Sequence, residues 1–365
     1  MKIPVLDLKP QYRAHKEEMS EAIARVLESG QFILGPDVKL LEEEVAAYLG
    51  VKHAIGVNSG TDALMIGLRA AGIGEGDEVI TTPFSFFATA ESISNVEAKP
   101  IFADIDPKSY NIDPEEIKAK ITPQTKGIMP VHLYGRPAAM GQIMDIAHQY
   151  GLKVIEDCAQ SFGARYRGKY TGTMGHVGAF SFFPSKNLGA YGDGGMIVTD
   201  ETLVADLAKM LRVHGTKTRY NNQVLGYNSR LDSIQAAILR VKLKYIDGWN
   251  GARRKVAQNY NHLLAGVPEI ITPEIVEGHV FHQYTIRFTN GKRDRVKEYL
   301  ASLGIASMVY YPVPQDQLPV YKGQYPPTPT SDLLAGEVLS LPIWPEIEEK
   351  TMERVVQGIK EGLEW

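Results

Sequence analysis

Ala54-Ile-Gly-Val-Asn-Ser-Gly-Thr-Asp-Ala-Leu64 passes from a short β-rich run into a helical pattern across one glycine-bearing turn. Working outward, the same alternation recurs. Glu78-Val-Ile-Thr81 precedes a helical stretch around 87–95, and Pro100-Ile-Phe-Ala103 and Gly127-Ile-Met-Pro-Val131 follow. A helix over 138–150 then leads to Lys153-Val-Ile-Glu156. Short strands alternating with longer helices specify an α/β domain with a mostly parallel sheet. Ligands of such sheets bind beyond the carboxyl ends of the strands.

Upstream, apolar residues at Met19, Ile23, Val26 and Leu27, and again at Val38, Leu41, Val45 and Leu49, have helical spacing. Gly30 and Gly50 close these two helices. Downstream, Gly178–Phe183 and Gly194–Thr199 read as two strands around a glycine-bearing loop, and a long helical pattern covers 231–246. Asp247-Gly-Trp-Asn-Gly251 interrupts the periodicity and suggests a domain boundary. Beyond it come a strand at 282–288, a helix at 292–303, a Pro/Tyr-rich loop at 310–328 and a closing helix at 349–363, the outline of a smaller α+β domain.

Composition narrows the class of function. The chain has 365 residues, 44% hydrophobic and 22% charged, with a net charge of -4, so no basic field draws nucleic acid or anionic lipid. No apolar run approaches membrane-spanning length and Met1–Asp7 lacks a signal-peptide core, so a cytoplasmic protein is expected. A single cysteine, Cys158, excludes an internal disulfide and reads as a small buried residue. His132, His148, His176 and His214 have no metal-ligand spacing, so structural histidines and no metal site are expected.

Chemistry concentrates at two points. Lys186, in Ser181-Phe-Phe-Pro-Ser-Lys-Asn187, lies 29 residues after Asp157, which ends an apolar strand. A lysine on a turn downstream of a strand-end acid suits pyridoxal phosphate: the amine condenses with the aldehyde, and the carboxylate keeps the pyridine nitrogen protonated. Asn58–Leu64 offers helix-start N–H groups and two hydroxyls to a phosphate, or else a plain N-cap. Phe86, after the second strand, can stack on a flat ring or serve as core, and Gln160 leaves its strand one turn beyond Asp157. Gly72-Ile-Gly-Glu-Gly76 follows a helix and enters a strand, the wrong order for a dinucleotide site.

These residues resemble the sugar aminotransferases of the DegT/DnrJ/EryC1/StrS family, within the fold-type I enzymes that use pyridoxal phosphate. The resemblance is carried by Asn58–Leu64, His132-Leu-Tyr-Gly135, Glu156-Asp-Cys-Ala-Gln160, Ser181–Lys186 and Gly226-Tyr-Asn-Ser-Arg230, in that order. It implies an N-terminal segment (1–30), a large domain with a mixed, mostly parallel seven-stranded sheet (31–248) and a small α+β domain (249–365). It also implies that Lys186 carries the cofactor and shuttles protons, that Asp157 pairs with the ring nitrogen, and that Gln160 contacts the ring hydroxyl. Phe86 would stack on the ring, and Gly60, Thr61 and Ser181 would hold the phosphate. Asn228 would reach the phosphate from a partner subunit in a homodimer with shared active sites. Arg230, Tyr310 and Tyr311 would contact the sugar.

Lysine at 186, where the family's dehydratases carry histidine, favours transamination. The implied reaction moves an amino group from L-glutamate, by way of pyridoxamine phosphate, to a UDP- or dTDP-linked ketosugar, in lipopolysaccharide or other glycan biosynthesis. Tyr310 stands where some relatives acting on a 3-keto-glucuronate have histidine, which points to C3 of a 3-keto-6-deoxyhexose. Arg230 would suit a carboxylate instead. A C4 aminotransferase, a sugar dehydratase and a non-enzymatic regulatory protein are the rival readings.

Overall fold

The computed structural model describes residues 2–218 and 220–365. Its centre is a seven-stranded sheet. From one edge the strands are His53–Val57, Gly195–Thr199, Val177–Ser181, Lys153–Asp157, Thr125–Met129, Glu78–Thr81 and Lys99–Phe102. Gly195–Thr199 runs against both its neighbours, and every other pairing is parallel. The strands are almost wholly buried and rich in Val and Ile, as expected of a sheet covered on both faces.

Helices cover that sheet where the periodicity placed them. Lys16–Ser29 and Pro36–Leu49 end at Gly30 and Gly50, whose φ of 66° and 74° lie in the left-handed region that glycine adopts without strain. Gly60–Ala70, Ala88–Asn95 and Met140–Tyr150 follow their strands. The helix Thr202–Leu211, left unassigned in the sequence, packs beside Gly60–Ala70 on the same core.

The remainder forms a three-stranded antiparallel sheet of Ile270–Ile271, Tyr284–Phe288 and Val338–Leu341, with helices Arg293–Ser302 and Glu349–Glu364 over it. Tyr260 and Tyr284 stack within its core, their ring centroids 4.8 Å apart. The Pro329–Glu337 helix and the Val338–Leu341 strand fall in a stretch whose proline-rich lead-in hid them.

One sequence expectation changes here. Asp247-Gly-Trp-Asn-Gly251 is not a break: it lies inside the 18-residue helix Ile246–Leu263. That helix buries Ile246 and Trp249 in the core of the large sheet's flank and Val256, Ala257 and Tyr260 in the smaller core, so burial on both sides overrides the low helix propensity of its glycines. The N-terminal stretch touches both cores. Ile3 bonds to Gly304 and Ala306 at 2.9 and 2.8 Å in the smaller core, whereas Met19, Ala22 and Val26 pack on Ala237 and Val241.

Gly251 is exposed, and a methyl group there would meet nothing within 4 Å. Gly251→Ala is therefore expected to stabilise the chain by about 0.5–1 kcal/mol in urea unfolding, through the lost backbone freedom of the unfolded state. A break at this position would give no gain.

Candidate active site

The carboxyl ends of the strands open into a cavity of about 360 Å³. Nine of the residues singled out in the sequence line it: Gly60, Thr61, Phe86, Asp157, Gln160, Ser181, Lys186, Tyr310 and Tyr311. Ser59, Ser85, Thr89, Asp193, His282 and Gln283 line it too.

Asp157 ends its strand and is only 4% exposed. Its Oδ1 accepts from the Ala159 N–H at 3.1 Å, and its Oδ2 accepts from the Thr89 hydroxyl at 2.8 Å. Ser85 lies one helical turn before Thr89 and its hydroxyl is 3.0 Å from that of Thr89, which fixes the donor. Burial still pushes the Asp157 carboxyl upward, against these two donors and the Lys186 charge. Such a group is relieved by a bound cation.

Lys186 sits on the loop between the antiparallel strands. Burial pushes its amine down to about 8, against the attraction of Asp157. An amine in that range is available as both nucleophile and proton carrier near neutral pH.

The Asn58–Leu64 turn shows the N-cap read from it and also lines the cavity. Ser59 is an N-cap: its hydroxyl accepts from the Asp62 N–H at 3.1 Å. Thr61 makes no side-chain hydrogen bond among the described residues and faces the cavity with Ser181. A Cβ at Gly60 would stand 2.5 Å from the Ser181 Cβ, so the close approach of helix start to strand end requires glycine. The result is a cradle of N–H groups and hydroxyls at a positive helix end.

Phe86 is 60% exposed, although the neighbouring Phe84 is fully buried. It presents a bare ring to the cavity, 6.5 Å from the Tyr311 ring. Gln160 is held from both ends: its Oε1 accepts from the Tyr134 N–H at 2.7 Å, and its Nε2 donates to the Tyr311 hydroxyl at 3.0 Å.

Asn228 and Arg230 do not reach the cavity within one chain. Asn228 is exposed and its carbonyl accepts from the Asn58 amide at 3.5 Å; Arg230 makes no salt bridge among the described residues. Sequence reasoning passed over Thr89, His282 and Gln283. The i,i+4 spacing of Ser85 and Thr89 after a strand could have flagged the first. Nothing in the sequence marks the other two, which arrive from the second half of the chain.

Glu156, next to Asp157, has the opposite character. It accepts from the Gly172, Met174 and Gly175 N–H groups at 2.8, 2.8 and 2.6 Å and lies 2.9 Å from His132 Nε2. His132 Nδ1 accepts from the Ala138 N–H at 3.0 Å, which makes Nε2 the donor to Glu156. His132, Glu156 and Cys158 thus lie together with their polar atoms within 4.8 Å, and burial and the two neighbouring carboxylates push the thiol well up. The histidine and glutamate are spent on holding the 172–175 turn.

The DegT/DnrJ/EryC1/StrS aminotransferase family model matches residues 13–360. This chain belongs to that family. It is 46% identical to the UDP-N-acetyl-3-dehydro-alpha-D-glucosamine 3-aminotransferase of Acidithiobacillus ferrooxidans, over 99% of this chain and 98% of the relative. It is 50% identical to the "pleiotropic regulatory protein" of Geobacillus stearothermophilus, over 99% of this chain and 98% of that protein. The crystal structure of DesV from S. venezuelae, solved with a ketimine intermediate, superposes with a TM-score of 0.96 at 42% identity, covering 100% of this chain and 99% of that one. In this family member, the large domain's mixed sheet and the lysine-bearing loop are the fold-type I arrangement.

The adjacent carboxylates are expected to part company on mutation. Glu156→Ala strands three N–H groups, that of Gly172 buried and those of Met174 and Gly175 part-buried, and the buried His132, costing about 3–5 kcal/mol in chemical unfolding, as when one partner of a buried pair is removed. Asp157→Asn, which relieves a buried charge, is expected to leave stability unchanged or raise it. Equal losses from both would overturn the division of labour.

Proposed function

We propose that this chain transfers the amino group of L-glutamate to C3 of a nucleotide-linked 3-keto hexose, with pyridoxal phosphate as cofactor. One observation carries the reading: Lys186 and Asp157 face a single cavity that also holds a glycine-walled phosphate cradle and a bare aromatic ring. The residues fit the cofactor. A side chain at position 60 would fill the cradle, and the buried Asp157 carboxyl is one whose charge a pyridinium nitrogen would relieve. When bound, pyridoxal phosphate supplies an aldehyde that captures amines and a ring that accepts the electrons left at Cα.

The protein's own groups do the rest. Thr61, Ser181 and the helix-start N–H groups hold the phosphate, Phe86 covers one face of the ring, and Gln160 presents an oriented amide at its edge. Asp157, fixed by Thr89 and Ala159, keeps a proton on the ring nitrogen. Lys186 would hold the cofactor through Nζ and, when that nitrogen is free, would take up and return the Cα proton there. The donor and the sugar use the same site in turn, so ping-pong kinetics follow.

Tyr310 and Tyr311 line the sugar side, and the 46% identical relative named for a 3-dehydro-glucosamine supports a C3 ketone without a carboxylate. Asn228 and Arg230 belong to the shared site of a homodimer in this reading. Its support is the apolar surface near them: Phe32, Ile33 and Leu225 are 45%, 52% and 86% exposed. Residues 31–248 then form the cofactor-binding domain and 249–365 the small domain, with the helix Ile246–Leu263 joining them. Among the described residues no helix is long and apolar enough to cross a membrane; a cytoplasmic role in glycan biosynthesis is part of this reading. The 50% identical relative with a regulatory name favours a regulatory protein as second reading; here the amine, its acid and their cavity are all intact.

Borohydride reduction and peptide mapping test the proposal: the pyridoxyl group is expected on Lys186, and its placement elsewhere overturns it. Lys186→Ala is expected to lower the rate of the glutamate half-reaction by about 10²–10⁴-fold, the scale of a lost acid–base group. Capture of the cofactor by the apo protein needs the unprotonated amine. Because burial lowers that amine to about 8, the capture rate should rise with pH and reach half its maximum near there; a midpoint near 10.5 would deny the perturbed lysine.

A further inference from the structure

His282 belongs to none of the motifs above, yet it is buried and lines the same cavity as Lys186. Its Nδ1 lies 3.1 Å from Asn187 Oδ1. Which atom donates follows from Asn187. The amide Nδ2 donates to Asn250 Oδ1 at 2.7 Å and to the Val280 carbonyl at 3.1 Å, which uses both of its protons. The Asn187 oxygen turned toward the imidazole can only accept, so Nδ1 carries the ring proton. Nε2 is left as a lone pair with no partner among the described residues. A second proton there is opposed by burial first, then by the Lys186 and Arg253 cations, which together push His282 well below its ordinary range.

We propose that the neutral Nε2 of His282 accepts a hydrogen bond from the free Lys186 ammonium, and that Asn187 and Asn250 exist to hold this tautomer. His282 is then a positioning residue that acts through Lys186. The inference rests on Lys186 being the cofactor-bearing amine.

The charged and titratable neighbours leave room for this role. Asp157, on its strand, is engaged by Thr89 and Ala159. Arg253, on the helix Ile246–Leu263, donates to the carbonyls of Phe281 and His282 at 3.3 Å each. Asp193 from the lysine loop and Tyr310 and Tyr311 from the second half complete the wall. A second carboxylate beside the lysine, added to the attraction of Asp157, would raise the amine further and hold the proton more tightly. An uncharged acceptor steers the ammonium while raising it only slightly, so the amine still exchanges protons near pH 8.

The test separates the two nitrogens of the ring. His282→Asn keeps a donor near the Nδ1 position and removes the acceptor; His282→Gln places an oxygen near the Nε2 position. The full-length protein is loaded with pyridoxamine phosphate, so that Lys186 is free, and labelled with acetic anhydride across pH. Peptide mass spectrometry then reads the Lys186 titration without reference to turnover. The midpoint is expected to fall by about one pH unit in H282N and to stay within about 0.3 unit of wild type in H282Q, the size of shift a single hydrogen bond to the charged form produces. The acid limb of the glutamate half-reaction should move with it. An unshifted H282N, or equal shifts in both variants, overturns the proposal. A pyridoxyl group found away from Lys186 would instead remove the reading on which it stands.

Discussion

The buried carboxyl of Asp157 is the constraint around which this molecule is arranged. An acid with 4% exposure at the end of a central strand is unfavourable unless donors or a cation meet it. Two donors are built in, from Thr89 and the Ala159 backbone, and the cavity leaves its remaining demand facing Lys186 and whatever ring lies between them. Stability is given up at this point, and chemical readiness is what remains.

Glu156 shows how the surrounding frame bears that cost. One residue earlier on the same strand, its carboxylate is met by three backbone N–H groups and His132. The alternation of side chains along a strand sends the two acids to opposite faces. One faces a fully satisfied turn and the other an open cavity. Two identical chemical functions acquire different surroundings from their faces alone.

The antiparallel strand Gly195–Thr199 has a comparable role in placing the lysine. Reversal of direction between it and Val177–Ser181 lets a short loop carry Lys186 back over the strand ends. Asn187, Asn250 and His282 then tie that loop to a helix and to the second half of the chain. Glycine at 60 permits the strand end and the helix start to close to contact, so cradle and lysine face one space.

Much of this was legible in residue order. Strand–helix alternation gave the α/β sheet, because a period of two followed by a period near four is a local property of neighbouring residues. Gly30 and Gly50 marked helix ends for the same reason, and Lys186, Asp157 and the Asn58–Leu64 turn stood out by chemistry and order. Asp247–Gly251 misled, since glycine content speaks for the isolated helix and not for the burial on two sides that stabilises it. Thr89, His282 and Gln283 were silent, because the cavity is formed by segments far apart in the chain, from Ser59 to Tyr311. Sequence by itself determined the class of chain and the helix ends, and it singled out the lysine and the acid that share one cavity. Tertiary structure alone decided which hydroxyl holds that acid, which histidine shares the lysine's cavity and which carboxylate is spent on the frame, because those depend on distance through space, which residue order does not encode.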